Sequence, residues 1–142
     1  MTAASRAVEA FLAGFRSLDV DSALATVSDS AQVTVYPLRL AGGGRDAIRK
    51  VLQDMVTAFP DLLLTVRSML ELGKVVVAEI KIEGTQAADY IGVINQEKHL
   101  DLDTAWRFVL DAEKISAIDV YWCQNQLLRR LAVKRTDQVT IV

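Results

Sequence analysis

The sequence predicts an α+β fold, with its helices gathered towards the start and its longest strands paired one after another in the second half. Two observations predict it. Val8, Phe11, Leu12 and Phe15 recur at helical spacing, as do Ile48, Val51, Leu52, Met55 and Phe59. From residue 62 onwards, apolar runs of strand length are separated by the short turns Gly73-Lys74 and Ala112-Glu113. Helices and strands do not alternate along this half, which argues for antiparallel pairing and against a doubly wound parallel sheet. At 142 residues the chain is expected to be one domain spanning 1–142, with a core of about 6–133 and a tail at 134–142.

Taken in order, residues 4–17 form an amphipathic helix capped by Thr2 or Ser5. Asp19 or Asp21 caps a short second helix running to Val27, with Ala23 and Leu24 on its apolar side, and Asp29-Ser30 closes the pair. Residues 32–36 alternate as a short strand stopped by Pro37. Residues 41–44, with three consecutive glycines, read as a flexible turn; no P-loop lysine follows them. Asp46 opens a third helix that Pro60 ends. Strands at 62–72 and 75–83 are joined at Gly73-Lys74, an irregular loop fills 84–98, and 99–110 and 114–123 form a closing hairpin. A short helix at 124–132 carries Leu127, Leu128 and Leu131. The β-branched residues of 136–142 suit a strand, a dimer strap or disorder.

Composition narrows the function. Net charge is −2, and the basic residues Arg129, Arg130, Lys134 and Arg135 are split by apolar ones, so no nucleic-acid partner is expected. No stretch reaches the ~18 apolar residues of a membrane span, and residues 1–15 lack a signal peptide's pattern. Cys123 is the only cysteine, which excludes an internal disulfide and points to the cytoplasm. One histidine, His99, and no Cys/His cluster leave no transition-metal site of that type, and no motif calls for a cofactor.

The chain resembles the SnoaL-like polyketide cyclase family, within the nuclear transport factor 2-like superfamily. The resemblance spans about residues 6–133. It rests on an ordered set: Val8-Glu9-Ala10-Phe11-Leu12-Ala13-Gly14-Phe15, Gly44-Arg45-Asp46-Ala47-Ile48-Arg49, Ala58-Phe59-Pro60-Asp61-Leu62, Gly84-Thr85, and Tyr121-Trp122 ahead of Leu127-Leu128-Arg129-Arg130-Leu131. It implies a cone-shaped, curved antiparallel sheet whose three N-terminal helices enclose a deep pocket. It also implies small-molecule chemistry such as ring closure, isomerisation, hydration or epoxide hydrolysis, or binding without catalysis. Four positions depart from the family pattern. Trp106 stands where an acid is usual, Asp119 where Trp is usual, and Gln86 where a His commonly follows the Gly-Thr pair. Cys123 replaces a common Asp.

The closing hairpin carries the expected chemistry. With Ala112-Glu113 as a two-residue turn, Asp111 faces Lys114, Trp106 faces Asp119, Thr104 faces Tyr121 and Leu102 faces Cys123. In this register Asp119 lies on the concave wall against an indole. Burial there raises a carboxyl's pKa and suits it to acid/base work. Tyr121 would polarise a carbonyl oxygen. Trp106, Thr104, Cys123, Phe108, Tyr36, Gln86 and Tyr90 complete the expected substrate pocket. A register one residue away pairs Arg107 with Asp119 and makes a plain ion pair. In the expected register Ile118, Val120 and Trp122 line the opposite, outer face of the last strand and form a homodimer interface.

The expected function is cofactor-independent acid/base catalysis on a hydrophobic, carbonyl-bearing small molecule of secondary metabolism, as in a polyketide cyclase or isomerase. Asp119 and Tyr121 would be its catalytic pair. The alternatives are a non-catalytic small-molecule-binding protein on the same scaffold and a water-activating enzyme of the epoxide hydrolase or hydratase type.

Overall fold

A computed structural model describes residues 2–133; the tail read as strand, strap or disorder lies outside the described residues. Six strands form one curved, unclosed sheet in the order β2-β1-β6-β5-β4-β3, with helices on its inner side. The elements are α1 (Ala3–Arg16), α2 (Val20–Leu24), β1 (Val27–Val35), a 3-10 turn (Tyr36–Leu38), β2 (Leu40–Gly43) and α3 (Arg45–Ala58). They continue with β3 (Leu63–Leu72), β4 (Val75–Thr85), β5 (His99–Asp111), β6 (Lys114–Trp122) and α4 (Gln124–Arg130).

Local signals explain most boundaries. Thr2 caps α1 by accepting from the Ser5 amide at 3.1 Å, and Asp19 caps α2 by accepting from the Ser22 amide at 3.2 Å. Gly14 lets these helices meet, because a Cβ there would lie 2.4 Å from the Ala23 backbone nitrogen. The residues expected at a helix end, Asp29 and Ser30, fall instead inside β1, exposed at its irregular stretch. The glycine run read as a turn is edge strand β2, antiparallel to β1 from Gln32↔Gly43 to Val35↔Leu40. Ladder hydrogen bonds come from the backbone, so missing side chains do not prevent pairing at an edge. β1 runs parallel to β6, the remaining ladders being antiparallel.

The core lies between the helices and the inner sheet face. Phe11 and Phe15 of α1 meet Trp106 and Phe108 of β5, with ring centroids 5.4 Å apart for Phe11–Phe108 and 5.8 Å for Phe15–Trp106. Burial of each such side chain is worth about 1.5–3 kcal/mol. This cluster fills the hollow under α1. Beneath α3 and α4, between Phe59, Trp122 and Leu127, only a void of about 10 Å³ remains.

The hairpin register differs from the expected one. The turn is as read, with Ala112 and Glu113 at φ 47° and 72° and Asp111 opposite Lys114. Beyond Leu110↔Ile115, however, Val109 pairs with Ala117, leaving Ser116 as a one-residue bulge. Its hydroxyl donates to the Val109 carbonyl at 3.1 Å. The bulge explains how Ile115 and Ile118, three residues apart, are both buried in the core, which strict alternation would forbid. Past it, every β6 side chain is on the face opposite to that expected.

Candidate functional site

The shifted register separates the expected catalytic pair from the core. Asp119 pairs with Arg107, not Trp106, on the outer face, and its Oδ2 accepts from Arg107 Nη1 at 3.2 Å. This is the plain ion pair of the alternative register. Tyr121 pairs with Ala105 on the same face, 40% exposed, its ring stacked on Tyr36 at 4.7 Å with an 8° interplanar angle. Burial first, then the neighbouring Tyr36 hydroxyl, holds the Tyr121 hydroxyl above its usual range. Cys123 is exposed at the start of α4.

Trp106, Thr104 and Phe108 do face inward, but they form packed core and not a pocket wall. Trp106 Nε1 donates to Thr104 Oγ1 at 3.0 Å, and that hydroxyl donates to the Ile80 carbonyl at 2.7 Å. Every polar atom of this short chain is thereby satisfied. Ile118 and Val120, expected at a dimer interface, are buried on the same inner face, with Trp122 packed partly against that core. The bulge is again the cause.

Gln86 has a different role from lining a pocket. It is fully buried, donates from Nε2 to the Val93 carbonyl at 3.1 Å and accepts the Gln96 amide on Oε1 at 3.4 Å. Its backbone amide donates to the Lys98 carbonyl, and that of Ala87 to the Ala58 carbonyl at the end of α3. These bonds fold the segment 86–98 against α3. Within it Tyr90 and Val93 exchange both backbone hydrogen bonds, at 3.0 and 2.8 Å, making a tight turn through Ile91 and Gly92. The Tyr90 ring is buried edge-on to Phe59 at 5.6 Å. Burial, and then the charge of Asp54, push its hydroxyl far above the usual phenol range.

That turn closes one side of a cavity of about 480 Å³ between α3, β2 and the end of β1. Val33, Leu40, Ala41 and Gly42 form its sheet wall. Gly42 approaches α3 closely; a Cβ on it would lie 2.8 Å from that of Ala47. The α3 wall is the stripe Ala47, Lys50, Val51, Asp54 and Thr57, and Asp89 and Ile91 come from the loop. The lining is mostly apolar, with charge confined to Lys50, Asp54 and Asp89. Lys50 Nζ lies 3.0 Å from Asp54 Oδ2, with Lys50 76% and Asp54 31% exposed, which places the pair at the rim. Asp89 Oδ1 accepts from the Asn95 amide at 2.7 Å, so its carboxylate also ties the loop.

None of the cavity residues was expected as a site residue. Positions 47, 50, 51, 54 and 57 do share one helical stripe, but a Lys-x-x-x-Asp pair on a helix reads as a solvated face. No group of three or more His, Cys, Asp or Glu able to hold a metal occurs among the described residues, and no helix among them is long and apolar enough to cross a membrane.

The architecture is that of the nuclear transport factor 2-like fold. A provisionally identified SnoaL-like polyketide cyclase from Jannaschia sp. CCS1 superimposes with a TM-score of 0.80 at 16% identity, over 92% of this chain and 94% of that one. A Mycobacterium tuberculosis epoxide hydrolase of the LEH-like type gives 0.73 at 18% identity, over 92% and 90% of the two chains. A protein of ketosteroid isomerase-like fold from Catenulispora acidiphila, solved with trimethylamine, gives 0.78 at 13% identity, over 94% and 97%. No curated protein matches the chain in sequence. The SnoaL-like domain family matches residues 8–118, and the chain belongs to that family.

Proposed function

We propose that the protein binds a hydrophobic, carbonyl-bearing small molecule in the α3–β2 cavity and moves a proton on it, in the manner of a polyketide cyclase or isomerase. The observation that carries this reading is the cavity itself: about 480 Å³ of mostly apolar wall with one carboxylate–ammonium pair, Asp54 and Lys50, at its rim. Asp54 takes a proton from the carbon next to the carbonyl. The C–H electron pair becomes a C=C bond as the carbonyl π pair moves onto oxygen, and Lys50 donates a hydrogen bond to the resulting enolate oxygen. Return of the proton to another carbon completes an isomerisation; attack of the enolate carbon on a second carbonyl of the same molecule closes a ring, and the proton held by Asp54 passes to the alkoxide that forms. A positioned acid/base group of this kind contributes ~10²–10⁴ in rate.

The test uses 6-propionyl-2-(dimethylamino)naphthalene, an aryl ketone whose fluorescence reports the polarity around it. The wild-type protein binds it and speeds deuterium uptake at its α-carbon in D₂O, read by mass spectrometry. Asp54→Asn keeps the binding and loses the exchange. Its fold is retained, because an exposed i,i+4 ion pair is worth only about 0.3–0.5 kcal/mol. Binding without exchange in the wild type refutes the catalytic role. It supports the second reading, a non-catalytic binding protein, which is favoured by Lys50 already neutralising Asp54.

Assembly and location follow the same chemistry. The outer sheet face exposes Leu70 and Leu72 on β3 and, three strands away on β6, Tyr121 stacked on Tyr36, and a homodimer through this face would cover them. Sedimentation equilibrium should then give twice the chain mass, and Leu70→Lys should lower it to one. A cytoplasmic location accords with the lone, exposed, free cysteine.

A further inference from the structure

The backbone at Ile91 is strained, and its side chain lies on the cavity wall. Ile91 has φ 44° and Gly92 φ 79°, the double positive φ that a two-residue turn between Tyr90 and Val93 requires. Asn, Asp or Gly occupies such a first position at little cost. A β-branched side chain there is a true outlier, because its Cβ substituents crowd the backbone in the left-handed region. Hydrogen bonds from both sides hold the turn in this conformation. Gln86, buried beneath it, holds the Val93 carbonyl and the Gln96 amide, and Asp89 holds the Asn95 amide. The strained residue packs in part against the core and is the loop's apolar contribution to the cavity lining, which Val51 and Leu40 share.

Strain of this kind persists where the surroundings over-determine it, and it gathers at ligand-holding positions. We propose that Ile91 is a specificity-determining residue, kept in an unfavourable backbone conformation because its side chain packs against the apolar body of the bound molecule. The inference rests on the cavity being the ligand site. It further assigns the ligand's class: a body without polar groups on the side facing Ile91, such as a fused ring, with its carbonyl turned towards Lys50 and Asp54.

Stability and binding should therefore move in opposite directions on substitution. Ile91→Gly and Ile91→Asn relieve the backbone and remove the apolar wall. The expected result is a thermal midpoint equal to or above that of the wild type. With it goes a dissociation constant for 6-propionyl-2-(dimethylamino)naphthalene about fivefold or more higher. An unchanged dissociation constant in both variants overturns the proposal, and so does a clear fall in thermal midpoint in both, since that makes Ile91 a stabilising core contact. Val51→Trp separates this outcome from failure of the cavity reading. It fills the cavity from α3, so undiminished binding by Val51→Trp removes the site itself. Loss of binding in Val51→Trp with full binding in Ile91→Gly removes only the role of Ile91.

Discussion

Arg107 donates from Nη1 to Asp119 Oδ2 at 3.2 Å across the β5–β6 ladder, on the face of the sheet turned away from the helices. An acid on the last strand, expected against an indole in a dry hollow, is thus tied to a guanidinium at a partly solvated surface. Asp119→Asn is expected to lower stability by about 1 kcal/mol or less, since Arg107 is 42% exposed and solvent screens the pair. Ligand binding in the α3–β2 cavity should not change. Urea denaturation and dye titration check the two halves; loss of binding with an intact fold would restore Asp119 to the site.

Removing Ser116 should be far more damaging than its small side chain suggests. Without the bulge, β6 returns to strict alternation, and Ile118 and Val120, both buried, turn outward while Asp119 turns into the core. Loss of two such burials costs about 3 kcal/mol or more. Circular dichroism and urea titration of the deletion variant should show partial or complete loss of cooperative unfolding. Ser116→Ala, which keeps the residue count and loses only a hydrogen bond to the Val109 carbonyl, should cost about 1 kcal/mol.

Thr104→Val tests the packed interior. The substitution keeps the shape but leaves the buried Trp106 Nε1–H without its acceptor and the Ile80 carbonyl without its donor. A cost of about 1–3 kcal/mol is expected by chemical denaturation. Dye binding should survive, because neither residue lines the cavity.

Acid should weaken the tie between α1 and the β3–β4 hairpin. Hydrogen bonds from Thr2 and then Ser5 hold the Glu71 carboxyl below the usual glutamate range. A depressed folded-state pKa adds stability above the unfolded value, and that stability is lost as pH falls through the folded one. The gap in thermal midpoint between wild type and Glu71→Gln should therefore be present at neutral pH and close below about pH 4, within the carboxylate range. A gap independent of pH would refute this.

Much of the architecture is legible in the residues. The apolar stripes of α1 and α3, the caps Thr2 and Asp19, the turn residues at 73–74 and 112–113, and the family landmarks each leave a local signal, because helix faces, caps and turns depend on neighbours a few positions away. The bulge at Ser116 left a fainter one, in the three-residue spacing of Ile115 and Ile118. Only the tertiary structure decided which way Asp119 points and where the cavity lies. A single extra residue inverts a whole strand. A hollow also depends on how Trp106 and Phe11 fill space between elements nearly a hundred positions apart, and no local pattern records that.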